Sequence, residues 1–324
     1  MAYEISVGDL EQSLRRAAAD RLERAIEALA AKKGDVGEHI HTARTSLKRA
    51  RTVARLVRDD IGEAAFRKED RAMRDAGRAL SAARDATVLT AALEALCARY
   101  EAERGALGPA LAALHEQKER SLADHGSDEA GLAQIARSLG EVRERVSGWQ
   151  LRRGGWKAIA GGLGRAYRQG RRYLRRAYAI EADDEGDARG AGEALAWAEP
   201  FHELRKQVKD LTYQARLLRP LWEPLMRAEE DELSALGDAL GELHDLAVLH
   251  ETARRDPGRA GGAETAARLM ALVERRARAI RAEIRPAAAR VFAERPRDRV
   301  RRMRTWFRAA AAEAEAARDA GVAS

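Results

Sequence analysis

The sequence predicts an all-α protein built from two helical bundles related by internal duplication. Three observations carry this. Apolar residues recur at steps of three and four along most of the chain, and no segment alternates as a strand would. Two blocks of the first half also return, in the same order, about 160 residues later.

Leu14, Ala18, Leu22, Ala25 and Leu29 mark the first helix, which stops at the Lys-Lys-Gly of 32–34. The same spacing gives helices near 36–60, 62–83, 85–102, 108–124 and 129–147. Beyond "GWQLRRGG" it gives helices near 157–181, 198–219, 223–243, 245–256, 262–294 and 297–319. Pro220, Pro224, Pro257 and Pro296 fall at or near breaks, while Pro286 is expected to kink or split its helix. The acidic, glycine-rich stretch 181–192 reads as a mobile loop. The expected organisation is one unit over 7–310, with halves 7–150 and 156–310 and a C-terminal helix end or tail over 311–324.

With 324 residues and 45% hydrophobic content, the chain can pack a sizeable core. Lys and Arg number 59 against 52 Asp and Glu, so a charged position is basic only about half the time and an all-basic row carries information. The net charge of +7 and a pI near 9.7 favour a polyanionic partner. The preference for Arg over Lys carries less weight, because the apolar residues are also largely Ala, the pattern that a biased codon usage produces. A single cysteine, Cys97, leaves no disulfide framework and no thiolate cluster, and reads as a core residue. The N-terminal stretch has acids and no apolar run, and no uncharged stretch approaches the ~20 residues of a membrane span. The expected location is the cytoplasm, with no membrane association.

The segment "EHIHTARTSLKRARTVARLV" places Arg44, Lys48, Arg51 and Arg55 in one helical stripe, beside an apolar stripe of Ala43, Leu47, Ala50, Ala54 and Val57. Arg67, Arg71, Arg74 and Arg78 form a second basic row, and Arg165, Arg168, Arg172 and Arg175 a third, with Arg171 and Arg176 alongside. One such row is usually a solvated face. Three along a groove make a track for a polyanion, since low-dielectric walls focus the field. They can converge only with counter-charge between them, because like charges repel strongly where water is scarce.

Aligned without gaps, "HTARTSLKRARTVARLV" from His41 matches "HELRKQVKDLTYQARLL" from His202. His41 meets His202, Arg44 meets Arg205, Lys48 meets Lys209 and Arg55 meets Arg216. "LSAARDATVL" from Leu80 likewise matches "LGELHDLAVL" from Leu240, with Asp85 over Asp245. Both aspartates read as helix N-caps. Opposite Arg71, Arg74 and Arg78 the second half carries Asp231, Ser234 and Asp238, so any track is asymmetric. His41 and His202, one turn before an arginine, read either as rings bonded to a neighbouring helix or as donors to a polyanion. His39 and His41 lie on different faces and His244 and His250 are six apart, so metal ligation is not expected. His115 and His125 are assigned to structure. "GGLG" at 161–164 lies inside a helical pattern and lacks the Lys-Ser/Thr of a phosphate loop. No enzyme is expected, and no cofactor.

The paired "HxxRxxLK" and "LxxxRD/HDxxVL" motifs resemble those of the conserved histidine α-helical domain family, abbreviated CHAD, over roughly residues 7–310. The resemblance implies two helical bundles about a pseudo-twofold axis, a central basic channel for inorganic polyphosphate, and association with polyphosphate granules and their proteins. It places binding positions on His41, Arg44, Lys48, Arg49 and Arg51, on His202, Arg205, Lys206 and Lys209, and on the helix carrying Arg165, Arg168, Arg172 and Arg175. The family's "RD" falls on Arg84–Asp85. Where a basic residue often follows "KDL", this chain has Thr212, which removes one contact. With Arg55, Arg71, Arg74, Arg78 and Arg216 added from the rows and the repeat, these residues form the expected polyphosphate site. A nucleic-acid backbone is the alternative partner. With aromatics at 5% and five scattered tryptophans, extensive base stacking is not expected. A third reading, polyphosphate cleavage by His244 and Asp245 with a metal carried by the phosphate, ranks last.

Overall fold

Asp9 opens the first helix by accepting from the Gln12 amide, and Asp35 opens the second by accepting from Gly37 at 2.6 Å. Each relieves one of the amides that a helix start leaves without a partner. The computed structural model describes residues 3–80, 85–125, 129–184, 195–319 and 321, and these are helical with no strand among them. In chain order the helices are α1 (Leu10–Ala30), α2 (Val36–Leu56), α3 (Arg58–Ile61), α4 (Glu63–Ala79), α5 (Asp85–Arg99) and α6 (Gly108–His125). They continue with α7 (Glu129–Ser147), α8 (Gly155–Asp184), α9 (Ala198–Leu217), α10 (Glu223–Arg255), α11 (Ala263–Val291) and α12 (Pro296–Asp319).

Helix α1 packs along α2 and α7, while α8 packs along α9 and α12. Between these groups α2 touches α8 and α9, and α5 crosses to lie on α10. A single apolar core runs through all of them, from Leu22 and Val53 through Leu93, Val142 and Ile159 to Phe201, Leu233 and Leu269. Cys97 is buried within it, as expected.

The structure differs from the sequence reading at four places. The stretch 36–60 is not one helix: α2 ends at Leu56, Val57 leaves helical geometry, and one further turn, α3, leads to Gly62 at φ +88°, a conformation only glycine adopts readily. The expected break before residue 245 is absent. Helix α10 runs unbroken for 33 residues, about 50 Å at 1.5 Å per residue. Asp245 therefore sits mid-helix and is no N-cap. Pro286 lies inside α11 without splitting it. Residues 181–184, expected as the start of a loop, continue α8, and the rest of that stretch to 192 lies outside the described residues.

Close approach of α8 to α2 depends on Gly162. A Cβ built there would lie 2.2 Å from the Leu56 carbonyl oxygen. Only a residue without a side chain lets the two backbones meet, and the cleft described next opens beside that contact.

Candidate functional site: a cation-lined cleft between α2, α4, α8, α9 and α10

A cleft of about 630 Å³ lies where these five helices meet. Helix α2 contributes Arg44, Lys48, Arg51 and Arg55; α4 contributes Arg74 and Arg78; α8 contributes Arg165 and Gln169. Helix α9 contributes His202, Arg205, Lys206, Lys209 and Tyr213, and α10 contributes His244. All four residues of the α2 stripe border this space; their spacing had put them on one helix face without saying which way that face turns. Arg58 and Phe66 also line the space, and among the described residues two carboxylates, Glu203 and Asp210, do so.

The cations do not face one another bare. Arg51 forks onto Asp70, Nε to Oδ1 at 2.9 Å and an Nη to Oδ2 at 3.2 Å. Burial pushes the Asp70 carboxyl up, but the bond from Arg51 and the charges of Arg51, Arg55 and Arg74 outweigh it and hold the group below the usual range. Asp59 accepts two bonds from Arg165, at 2.7 and 2.9 Å, and Asp238 pairs with Lys209 at 2.9 Å. Lys206 pairs with Glu203 on its own helix, and Arg58 with Glu63. Arg74 and Arg78 share Asp75 at 3.7 and 4.0 Å. Cations brought this close require counter-charge, and here Arg51, Arg74, Arg165 and Lys209 each have a carboxylate within 4.0 Å.

Asp210 joins the two central helices beneath the cleft. It is 4% exposed, and it accepts from Thr52 Oγ1 at 2.6 Å, from Arg55 at 3.1 Å and from the Gln214 amide at 3.0 Å. A buried carboxylate with three donors is a satisfied one. On the far side, Gly237 and Gly241 of α10 make room for the stems of Lys209 and Arg205. A Cβ at Gly237 would meet Lys209 Cε at 3.2 Å, and one at Gly241 would meet Arg205 Nε at 3.6 Å. Arg205 thus lies along α10 with its head in the cleft, as long cationic side chains do. Its Nε is buried with no hydrogen-bond acceptor.

His202 and His244 stack at the α9–α10 wall, ring centroids 4.3 Å apart and tilted by 32°, with their Nδ1 atoms 3.1 Å apart. Desolvation, then the charges of His202, Arg205 and Lys206, pull His244 down to about 4. Desolvation and Lys206 lower His202 as well. At neutral pH both rings are neutral, one Nδ1–H donating to the other.

Several expected residues stand elsewhere. His41, Arg71, Arg168, Arg172 and Arg175 are exposed and do not line the cleft. Arg49 lies between the rings of Tyr3 and Tyr213, at 5.7 and 5.8 Å, where it serves packing. Arg216 approaches Glu230 at 3.9 Å outside the cleft. Arg84 lies outside the described residues. Thr212 is buried and donates to the Val208 carbonyl, so its position faces the core. Asp70, Asp210, His244, Arg58 and Tyr213 were not singled out as binding positions. The repeat offered one signal: His244 aligns with Arg84, an expected contact.

Fold and cleft together define an all-helical protein with Arg- and Lys-bearing helices turned toward a shared space. Residues 12–254, well over half of the chain, match the CHAD domain family, and the chain belongs to it. No curated protein gives a significant match.

Among the described residues no helix is long and apolar enough to cross a membrane, and no group of three or more His, Cys, Asp or Glu is placed to hold a metal ion.

Proposed function

We propose that the cleft binds inorganic polyphosphate and that the protein acts as a binder, not a hydrolase. The observation that carries this is the lining: cations from α2, α4, α8 and α9 surround a space large enough for several phosphates, in a chain of the CHAD family. Phosphate oxygens would take over from Asp70, Asp59, Asp238 and Glu203 as acceptors. Arg205, which lines the cleft from α9, supplies a further cation. Charge-assisted bonds to successive phosphates, together with release of condensed counterions, would supply the affinity.

The same reading takes the chain as a duplicated unit about a pseudo-twofold axis. Its support is reciprocity at the α2–α9 crossing. Thr52 bonds Asp210, while Tyr213, which aligns with Thr52, packs on Arg49, which aligns with Asp210. Arg55 reaches Asp70 at 3.9 Å, and its counterpart Arg216 reaches Glu230 at the same distance. A cytoplasmic location on polyphosphate granules belongs to this proposal.

Three titrations at equal phosphate concentration test it: long-chain polyphosphate, triphosphate and duplex DNA. The expected order has long-chain polyphosphate in the nanomolar range, far ahead of triphosphate, with log affinity falling by roughly 0.7–0.9 per phosphate neutralised for each decade of salt. DNA binding that outcompetes polyphosphate would favour the nucleic-acid reading. Free phosphate released in the presence of magnesium would overturn the non-catalytic one.

A further inference from the structure

Beyond the cleft, α12 turns Arg297, Arg301, Arg304 and Arg308 toward solvent. Steps of four, three and four place them in one stripe along about three turns. Asp298 lies 3.2 Å from Arg301 and 3.8 Å from Arg297, yet those two side chains remain 80% and 77% exposed. Among the described residues no carboxylate pairs with Arg304 or Arg308. The row is therefore less compensated than the cleft, where most cations have an acid in reach.

We propose that this stripe is a second polyphosphate-binding surface, continuous with the cleft across α8, over which a long polymer runs once it leaves the cleft. The inference rests on the reading of the cleft given above. Its geometric basis is Gly164. A Cβ built there would lie 3.4 Å from Val300 Cγ2 of α12 and 3.8 Å from an Arg168 guanidinium nitrogen. Exposed Arg168 therefore stands against the first turns of α12. Arg297 and Arg304 lie one turn to either side of Val300, on the solvent side of the same contact.

On α8 itself, Arg165 lines the cleft and Gly164 faces α12. At about 100° per residue, exposed Arg168 falls between those two directions, and exposed Arg172 falls near the direction of Arg165 about two turns further on. The α8 arginines outside the cleft thus bridge the two surfaces instead of lying idle on a solvated face. A polymer of phosphates fits this path because its charge repeats along a flexible line. A rigid duplex would meet α12 but could not follow the turn into the cleft.

The test uses the full chain carrying Arg301→Glu, Arg304→Glu and Arg308→Glu, all exposed positions, with helicity and melting checked against the parent. Linear hexaphosphate and long-chain polyphosphate are the probes, with duplex DNA as the third arm. The expected result is hexaphosphate affinity unchanged within about twofold, long-chain affinity lower by about tenfold or more, and a salt slope shallower by roughly 2. Long-chain affinity that survives the triple substitution would overturn the proposal, as would equal losses for both probes. Loss of DNA binding with polyphosphate binding intact would also overturn it, in favour of a nucleic-acid surface. If the parent protein fails to bind hexaphosphate at all, it is the cleft reading that falls.

Discussion

The Nδ1 atoms of His202 and His244 face each other at 3.1 Å in the wall of a cleft full of cations. Both Nδ1 positions cannot carry protons pointing at one another, and Arg205 and Lys206 oppose protonation of either ring, while Glu203 and Glu199 favour it only at His202. A polyanion in the cleft reverses that balance. The pair should take up one proton as polyphosphate binds, and affinity should rise as pH falls from about 7 towards 5. The His244→Gln variant should bind with a flatter pH profile. Isothermal titration in buffers of different ionisation enthalpy reads the proton uptake directly.

The same pair sets a pH dependence of stability without ligand. His244 titrates near 4 in the folded chain and near 6.5 when unfolded. Between those values the unfolded state binds the extra proton, so stability is full above about 6.5 and falls as pH drops towards 4. The full shift corresponds to about 3 kcal/mol at this one ring, and solvent screening of the half-buried ring reduces it. Urea melts of parent and His244→Gln at several pH values should show the slope shrink in the variant.

Asp210 should be a structural residue first. Replacing it with Ala leaves Thr52, Arg55 and Gln214 without their acceptor at a buried crossing. The expected cost is about 2–4 kcal/mol. Asp210→Asn, which keeps one acceptor oxygen, should lose less. Chemical denaturation distinguishes them.

Asp238 pairs with Lys209 at 2.9 Å, and under the proposed function it would compete with polyphosphate for that side chain. It is 77% exposed, so Asp238→Asn should change stability by no more than about 0.5 kcal/mol. Polyphosphate affinity should rise by about two- to fivefold, because one ion pair no longer has to be exchanged. An unchanged affinity would mean that Lys209 stays on its own side of the cleft.

Gly162→Ala forces α8 away from Leu56, and overpacking of this kind costs about 1–3 kcal/mol. The shift also widens the cleft at Arg165, so binding should weaken even where the protein stays folded. A thermal melt and a binding titration on the same sample report both effects.

The helices were legible because an apolar face buried at a helical period leaves its mark in the sequence, as Leu14 to Leu29 show in α1. The grouping of Arg44, Lys48, Arg51 and Arg55 on one face was legible too, since spacing alone sets it, but the direction in which that face turns was not. Arg49 shows the limit. It lies some 100° from Lys48 around α2, and only the tertiary placement of Tyr3 and Tyr213 reveals that it packs between rings. The counter-charges were invisible for a related reason. Among 52 acids, nothing local marks Asp70 or Asp210 as the ones that the fold turns toward arginines. Asp245 misled because Asp before an apolar run is a good helix start, yet the preceding turns of α10 were already helical and needed no cap.

The most direct measurement of the central claim is polyphosphate binding by the double charge reversal Arg44→Glu with Lys209→Glu, which line the cleft from α2 and α9. The account predicts a folded protein whose affinity for both short and long chains falls by at least about a hundredfold, several charge-assisted contacts of roughly 1.5–3 kcal/mol each being lost or inverted. A folded double variant that binds polyphosphate as tightly as the parent would contradict it.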